Sequence, residues 1–588
     1  MNEQPIGAQH VPPFSREFFT SGDPCSRIGS GRFGGKAQGL IMMRDLLRVR
    51  ASDEFGDDGV HLSVPTMVVV TTDIFDEFME QNDLYRIALS NAPDDRIAHA
   101  FQHADMPTEV VGDLQGLIEH VHQPLAIRSS SLLEDALYRP FAGVYATKMT
   151  PNNEPDPTER FRRLLEAIKF VYASTFFRAA KNYIRATNAD IRDEKMAVII
   201  QEVVGNRHGD RFYPEVSGVA RSYNFYPMGR AKPREGVVSL ALGLGKTIVD
   251  GDVTWSYSPA HPKAPPPFGS THDLLQNTQL SFWAVNMGHV DEYDPIAEHE
   301  FLSRADLSIA EYDGVLPHVA STYDPRSDRL TPGTGGNGPR VLTFAPLLVF
   351  REYKFNSAIR RLISICEQAV DAPVEIEFAL TFPRRGEPPI ARLGFLQVRP
   401  MVVSDETVDI EDAEVESDRL IIWSDRVMGN GVVEDVRDVV YVRPEAFEAK
   451  FTRKIAYELE SVNTELLATE TPYVLIGFGR WGSSDPWLGI PVDWGFICGA
   501  RVIVEATLPT MIVEPSQGSH FFHNISRFRV SYFSVDHKTR PGIRWDALDK
   551  RPALHETDYL RHVQFETPLS IRVDGRTGHG GVWLPETE

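Results

Sequence analysis

Charged and amide side chains alternate with apolar residues on two segments in the second half of the chain. In an extended strand, alternate residues share a face, so Glu375 and Glu377 lie together, as do Gln397 and Arg399. Two carboxylates on one face repel each other unless cations hold them, and Mg²⁺ prefers carboxylates combined with ligand phosphates. The pattern predicts either a metal–triphosphate site, with Arg399 stabilising a transferred phosphoryl group, or a half-exposed hairpin with Glu–Arg pairs across its strands.

Two further segments carry a cation beside groups that suit a phosphate. A glycine pair before Lys36 opens a predicted helix, where the backbone can approach an anion and the helix N-terminus offers free N–H groups. Arg128 ends an apolar strand and is followed by three serines, an arrangement that can clamp a phosphate. The alternatives are a glycine-rich turn with a surface lysine, and a strand-end arginine paired with Glu134 or Asp135.

Two more segments allow a nucleotide-binding interpretation and a purely structural one. The apolar strand that ends at 199–203 has backbone groups with which a flat purine could pair, although any buried strand has them. Another strand leads into the glycine turn at 243–246, which could line a phosphate or simply reverse the chain.

Apolar segments bounded by turn residues predict the strands that position these groups. They lie at 64–71, 125–128, 196–204, 216–223, 237–242, 374–380 and 393–398. Thr72 and Thr158 are predicted N-caps of two helices. A second unit begins at Leu420, with predicted strands at 420–423, 439–442, 473–477, 500–505 and 530–533. A helix is predicted from Pro444 to about Leu466, and the fold class is therefore predicted to be α/β (α+β).

The net charge excludes one class of ligand and restricts another. The 588 residues include 60 Lys and Arg against 82 Asp and Glu, a net charge of −22. Such a surface repels a nucleic-acid backbone, so no nucleic-acid partner is expected, and a phosphate ligand requires positive charge concentrated locally. Eight acidic residues and no basic one at 405–418 predict a solvated linker.

Cysteine usage and hydropathy restrict the compartment. Three widely spaced cysteines predict reduced thiols and no metal knuckle, which is typical of a cytoplasmic protein. No apolar run approaches 18 residues, and residues 1–19 lack the pattern of a signal peptide, so no membrane partner is expected.

These segments follow one another in the order found in one family. The chain resembles the N-terminal nucleotide-binding part of phosphoenolpyruvate synthase and pyruvate phosphate dikinase over about residues 29–403. The runs that carry the resemblance are GGKAQGL from Gly34, VPTMVVVTT from Val64, IRSSS from Ile127 with Glu134 and Asp135, FAGVY from Phe141, residues 196–204, SGVA from Ser217, GLG from Gly243, EIE from Glu375 and LQVRP from Leu396.

The resemblance implies an ATP-grasp-like fold with MgATP bound between two subdomains. The N-terminal subdomain, with its lid, would comprise residues 1–190, and the second subdomain residues 191–403. An acidic linker at 404–418 and a smaller C-terminal α/β domain at 419–588 would follow.

The resemblance also implies a role for each matching residue. Lys36 and Arg128 would contact phosphates, and Arg399 would face the transferred phosphoryl group. The other implied contacts are an adenine hinge at Gln201, Glu202 and Val203 and a Mg²⁺ site at Glu377 and Gln397.

The chain departs from the family's full enzymes after Pro400. Those enzymes continue into a phosphohistidine domain and a barrel. The segment most similar to a phosphohistidine motif is TGHGG from Thr577, but no helix of small apolar residues is predicted after it. The segment 401–588 is also shorter than a barrel, which typically takes about 250 residues. We therefore expect that this chain alone does not perform the complete dikinase reaction.

The C-terminal unit has two dense polar segments of its own. At 477–489, Arg480 could recognise an anion and Asp485 could act as a base, or both could belong to a tryptophan-packed turn. At 514–524, His520 is a candidate phosphoryl acceptor or general base because its ordinary pKa is near neutral. The alternative is a structural histidine at a helix start.

Two functions are compatible with these observations. The first is an ATP-dependent phosphotransferase acting on an unidentified acceptor, which is a small molecule, a partner protein or the C-terminal unit. The second is a non-catalytic ATP sensor in which closure of the subdomains signals through the C-terminal unit. An oligomeric scaffold with a decayed site fits less well because the charged residues are present.

Overall fold

The two units of the chain are built from mixed sheets covered by helices. The computed structural model describes residues 11–585 except 55–58, 133–142, 187–189, 226, 228–229, 267–270, 277, 291–292, 351–352, 385, 402, 404–407, 409, 484, 486, 493, 510–529 and 576. Within these residues the strands form seven sheets. The predicted α/β class is confirmed.

The first sheet brings the segment of Arg128 beside the strand that leads to the predicted hinge. Its five strands, in spatial order, are Cys25–Ile28, Met67–Val70, Met196–Glu202, Leu125–Ser131 and Thr147–Thr150. The prediction that the fourth strand ends at Arg128 is wrong, because its serines pair in register with the central strand, Ser129 with Val198 and Ser131 with Met196.

The second sheet holds the predicted carboxylates. Its six strands, in spatial order, are Trp255–Tyr257, Val237–Ala241, Val216–Arg221, Val374–Thr381, Ala391–Pro400 and Val60–Ser63. Residue 218 must be glycine here, since a Cβ atom would lie 2.1 Å from the ring of Phe378 on the neighbouring strand.

Two smaller sheets complete the N-terminal unit. One contains Leu302–Asp306, Ser281–Asn286, Arg211–Tyr213 and Asn206–His208, and the other contains Arg329–Pro332, Ala320–Asp324 and Arg340–Leu342. The helices of this unit are Phe18–Ser21, Gly35–Glu54, Thr72–Gln81, Tyr85–Ala88, Asp94–His103, Thr108–His120, Pro157–Ser174, Arg178–Ala186, Lys246–Val249, Thr271–Gln276, Leu307–Tyr312, Leu316–Val319, Ala345–Leu348 and Phe355–Val370, with 3₁₀ turns at Ile191–Asp193 and Pro233–Glu235.

The C-terminal unit also combines β-sheets with helices. Its seven-stranded sheet runs Val427–Met428, Ser531–Val535, Ala500–Ala506, Tyr473–Phe478, Asp438–Val442, Leu560–Gln564 and Ala553–Glu556. A four-stranded sheet runs Leu420–Ser424, His579–Trp583, Ser570–Asp574 and Asn430–Val433, and Arg480–Trp481 pairs with Gly489–Ile490. The helices are Asp412–Val415, Thr452–Ala468 and Trp545–Asp549, with 3₁₀ turns at Ala449–Phe451 and Trp494–Phe496.

Three predicted helix starts need correction. Thr71 rather than Thr72 is the N-cap residue of the helix Thr72–Gln81. Asp156 rather than Thr158 caps the long helix of the N-terminal unit, because its side chain accepts a hydrogen bond from the Thr158 N–H and proline occupies the first helical position. The C-terminal helix begins at Thr452 instead of Pro444, since the residues directly before it form the 3₁₀ turn Ala449–Phe451. The helix that follows Gly34 is confirmed.

The two units are packed together. The helix Arg178–Ala186 lies against the 3₁₀ turn Trp494–Phe496, where a Cβ on Gly495 would come within 2.9 Å of the Ala179 carbonyl oxygen. Arg178 Nη1 also lies 3.1 Å from Glu460 Oε1, and apolar residues of both units share one core cluster.

The predicted division at residue 190 does not follow the sheets, since Met196–Glu202 belongs to the first sheet and Val60–Ser63 to the second. The domain ranges therefore stay predictions, and residues 404–407 and 409 of the linker lie outside the described residues. The three cysteines are free thiols. Among the described helices, none is both long and apolar enough to span a membrane.

Candidate functional site

Two rows of side chains cross the second sheet on one face. In the first row, Arg399 pairs in register with Glu375, Glu375 with Arg221, and Arg221 with Val237. In the second row, Gln397 is opposite Glu377. The strand alternation thus places both glutamates, Gln397 and Arg399 together, as predicted from the sequence.

Arginines hold both glutamates. Arg221 Nε donates to Glu375 Oε2 at 2.7 Å. Arg399 Nη2 lies 3.0 Å from Glu377 Oε1, and Arg399 Nη1 lies 3.7 Å from Glu375 Oε1. The side chains of Arg399 and Glu375 are almost completely buried, at 1 % and 2 % exposure. Two carboxylates on one buried face are therefore stabilised by opposite charge.

The first sheet contributes Arg128 to the same place. Arg128 Nη2 donates to Gln397 Oε1 at 2.8 Å and lies 3.5 Å from Glu377 Oε2. Arg128 Nη1 donates to the Leu396 carbonyl oxygen at 2.8 Å and to Gln201 Oε1 at 3.2 Å. A single guanidinium thus joins the two sheets. We call Arg128, Arg221, Glu375, Glu377, Gln397 and Arg399 the arginine–glutamate cluster.

Lys36 lies beside Arg128 through the serine segment. Lys36 Nζ donates to Ser129 Oγ at 3.1 Å, and the Ala37 N–H donates to Ser130 Oγ at 3.0 Å. Lys36 is buried, at 5 % exposure. The start of its helix is therefore held on the strand that carries Arg128.

The arginine–glutamate cluster and Lys36 provide the local positive charge that a phosphate ligand requires in this acidic chain. Three arginines contact two carboxylates here and Lys36 lies beside Arg128, so this group carries more positive than negative charges although the whole chain is strongly acidic. Sequence reasoning missed one of the arginines, Arg221. The signal was present, because Arg221 is a charged residue two positions after Val219 on an apolar strand, on the same face.

The predicted hinge residues lie next to the cluster but their N–H groups are engaged. The Glu202 N–H donates to the Thr66 carbonyl oxygen at 2.9 Å, and the Val203 N–H donates to the Pro124 carbonyl oxygen at 2.8 Å. The Gln201 side chain contacts Arg128, as described above, and burial raises the pKa of Glu202. An adenine at this strand would therefore have to use groups other than these two N–H donors.

A comparison with known protein families shows which family the chain belongs to. The family described as "Pyruvate phosphate dikinase, AMP/ATP-binding domain" matches residues 30–419, about two thirds of the chain. This chain belongs to that family. The resemblance predicted from the nine runs is confirmed, and the matched range contains the arginine–glutamate cluster and Lys36.

Two curated relatives match parts of this dikinase-family chain. The Uncharacterized phosphotransferase YvkC of Bacillus subtilis (strain 168) is 28 % identical over 193 residues, which are 33 % of this chain and 21 % of the relative. The Phosphoenolpyruvate synthase of Aeropyrum pernix is 29 % identical over 298 residues, 49 % of this chain and 30 % of the relative. The chain thus matches less than a third of the length of either relative.

The segment after the glycine turn of the dikinase-family region contacts the C-terminal unit through Gly251. The helix Lys246–Val249 follows the turn, and Lys246 Nζ lies 2.8 Å from Asp250 Oδ2. Arg480 of the C-terminal unit donates through Nη1 to the Gly251 carbonyl oxygen at 2.7 Å. Lys246 and Arg480, both predicted as possible anion contacts, therefore have partners within the protein.

The remaining candidates of the C-terminal unit include residues of one turn and a histidine that lies outside the described residues. Asp485 Oδ1 accepts a hydrogen bond from the Trp487 N–H at 2.9 Å, which closes a turn. Trp481 is buried and donates through its indole N–H to the Val504 carbonyl oxygen at 3.2 Å, whereas Trp487 is 72 % exposed. His520 lies outside the described residues, so its role stays a prediction.

Asp252 directly follows Gly251, whose carbonyl oxygen accepts the hydrogen bond from Arg480. Its carboxyl is expected to make the stability of the fold depend on pH. Burial, together with the nearby Asp250 and against the opposing effect of Arg304, raises the pKa of its carboxyl from 3.8 to about 6. A carboxyl whose pKa is higher in the folded chain destabilises the fold increasingly as pH rises from its unfolded pKa to its folded pKa. The penalty here grows between about pH 4 and pH 6 and is constant above, at about 1–3 kcal/mol.

Asp252→Asn should therefore raise the free energy of unfolding in urea, and the gain should be larger at pH 7.5 than at pH 4.5. Asp558→Asn, at an exposed position, is the control and should leave stability unchanged at both pH values. A gain that is independent of pH would contradict the prediction.

Proposed function

We propose that this chain is an ATP-dependent phosphotransferase that binds MgATP between the two sheets. The observation that carries the proposal is the arginine–glutamate cluster, in which Arg128 of the first sheet meets Gln397 and Glu377 of the second. The family match and the printed names of the two relatives, a phosphotransferase and a phosphoenolpyruvate synthase, support it. The acceptor of the phosphoryl group is unidentified.

The proposed roles follow the charges of the side chains. Lys36 and Arg128 bind phosphate oxygens, and Arg399 stabilises charge on the transferred phosphoryl group. Gln201, Glu202 and Val203 are proposed to line the adenine, and His520 is the first histidine to test as an acceptor. The three free thiols fit a cytoplasmic enzyme, which is part of the proposal.

The donor atoms at the cluster fit Mg²⁺. Glu377 and Gln397 offer hard oxygen ligands, and Glu377 Oε1 is buried and accepts no well-aligned hydrogen bond from a described residue. The described residues include no group of three or more His, Cys, Asp or Glu side chains suited to a metal, so phosphates and water would supply the other ligands. When bound, Mg²⁺ neutralises charge on the phosphate oxygens.

Binding of ATP at the cluster implies an exchange of partners. Gln397 Oε1 accepts hydrogen bonds from both Arg128, at 2.8 Å, and Arg399, at 3.0 Å. An amide oxygen has two lone pairs, so both are used. Phosphate oxygens can take over one arginine through charge-assisted bonds, which frees the amide oxygen for a cation. The arginines and carboxylates thus stabilise each other before ATP binds, and the bound phosphates then replace some of these contacts.

Incubation with γ-labelled and β-labelled ATP and Mg²⁺ tests the proposal. We expect turnover of ATP, detected as labelled ADP or as AMP with phosphate, together with labelled product or acid-labile label on the protein. AMP with phosphate would indicate dikinase-like chemistry, and ADP alone would indicate a simple kinase or ATPase. Tight binding of ATP without either product would contradict the enzyme and favour an ATP sensor.

A further inference from the structure

An open cavity of about 650 Å³ lies at the edge of the second sheet, beside the strand Trp255–Tyr257. Its size is in the range of small-molecule sites, about 300–1,000 Å³. Val237 and Ser256 belong to the strands below it, and the proline-rich segment at 259–266 forms a wall. Prolines restrict the backbone of that wall, which favours a preformed shape.

The cavity lies on the same face of the sheet as the arginine–glutamate cluster. Val237, which lines the cavity, is opposite Arg221, and Arg221 is opposite Glu375. Ser256 also lines the cavity and is opposite Ser239, which is opposite Val219, the neighbour of Glu377. Since neighbouring strands are about 4.8 Å apart, the cavity floor at Val237 lies about 10 Å from Glu375.

The charge of the cavity selects an anion. Among the described residues its lining includes Arg230, Lys263 and His261 and no carboxylate, in a chain whose net charge is −22. Glu235, outside the lining, lies 3.4 Å from His261 Nε2, so the two cations that remain for a ligand are Arg230 and Lys263. Ser258 also lines it, and the Ser258 Oγ atom is buried without a hydrogen-bond partner among the described residues. Two cations can bind a carboxylate or phosphate group by charge-assisted hydrogen bonds.

We propose that this cavity binds a small anionic molecule, carrying a carboxylate or phosphate group, at a site separate from the arginine–glutamate cluster. The anionic group binds near Arg230 and Lys263.

Saturation-transfer NMR with three probes of similar shape tests the binding. Benzoate and phenyl phosphate carry the two anionic groups, and benzyl alcohol is neutral. We expect the two anions, but not the alcohol, to bind the wild-type protein. Arg230→Gln together with Lys263→Gln should weaken the binding of both anions about tenfold, because two charge-assisted contacts are lost. Both positions are exposed, so the fold tolerates the change.

The matched control is Arg326→Gln together with Lys450→Gln, which removes the same charges at exposed positions elsewhere and should leave binding unchanged. A saturating non-hydrolysable ATP analogue with Mg²⁺ should not displace the anions. Displacement by the analogue, or equal binding to both double variants, would overturn the proposal. This readout does not depend on turnover, so anion binding without any hydrolysis of ATP would refute the phosphotransferase while leaving the anion site in place.

Discussion

Arg399→Ala is expected to lower the rate of ATP turnover about 10³-fold, as removal of an arginine that stabilises a transferred phosphoryl group does. Arg399 is the side chain that touches both carboxylates and Gln397. The measurement is turnover of labelled ATP at saturating Mg²⁺.

Loss of fold must be separated from loss of chemistry, because Arg399 is buried. Its removal leaves Glu375 and Glu377 with less opposing charge, which destabilises a buried site. Arg399→Lys retains the charge but not the planar fork of donors, so it should fold and still turn over ATP slowly. Arg392→Ala, on the same strand and 55 % exposed, is the matched control and should keep full activity.

Glu377→Gln tests the metal side of the same site. The amide keeps the shape of the side chain but not its charge, so turnover should fall more than about 100-fold, beyond the loss seen when a residue that only orients a metal ligand is changed. The dependence of the residual rate on Mg²⁺ concentration should shift to higher concentration. Unchanged turnover in both Glu377→Gln and Arg399→Lys would show that the site lies elsewhere.

The alternation of side chains made the core of the site predictable. Glu375 and Glu377 share a face in any strand, so the sequence alone places them together whatever the neighbouring strand is. The same argument places Gln397 with Arg399. The connection at 382–390 allows the two strands to pair antiparallel, whereas the register, with Glu377 opposite Gln397, is known only from the structure.

Contacts between distant segments were not predictable in this way. Arg128 meets Leu396 and Gln397 across more than 260 positions of the chain, and only the packing of two sheets fixes that pair. The resemblance to a family supplied this link, because it assigned both residues to one site. No such help existed for Arg221, which is outside the quoted runs, or for the contact of Arg480 with Gly251.

The serine segment at 129–131 shows that tertiary packing can override the local preference of serine for turns. Three serines after an apolar strand predict its end, since serine favours turns. In the structure Ser129, Ser130 and Ser131 are fully buried and remain in the strand. Their small size lets the start of the Lys36 helix approach, and two of their hydroxyl groups bond to that helix.

Gly34→Ala is expected to destabilise the fold by about 3 kcal/mol, at the upper end for an overpacked site. A Cβ at residue 34 would lie 1.7 Å from the Ser130 carbonyl oxygen and 2.1 Å from its carbonyl carbon. These are main-chain atoms of a strand in which Ser130 pairs with Ala197 of the neighbouring strand, so they cannot move like the end of a flexible side chain. The start of the helix must move instead.

Gly112→Ala is the matched control, because it lies inside the helix Thr108–His120 and a Cβ there meets nothing within 4 Å. Alanine in a helix interior should stabilise the fold by about 0.5–1 kcal/mol. The two free energies of unfolding in urea should therefore change in opposite directions. Equal changes would mean that the close approach at Gly34 carries no cost.

The Gly34 substitution should also affect substrate binding, because the displaced helix carries Lys36 away from Ser129. A cation that has moved from the strand of Arg128 can no longer share a phosphate with it, so the KM for ATP should rise while Gly112→Ala leaves it unchanged. Measured on protein that remains folded at low temperature, this separates the two roles of the glycine. A stability loss with an unchanged KM would mean that Lys36 does not contact ATP, whereas a rise in KM links the packing of Gly34 on Ser130 directly to the proposed phosphate site.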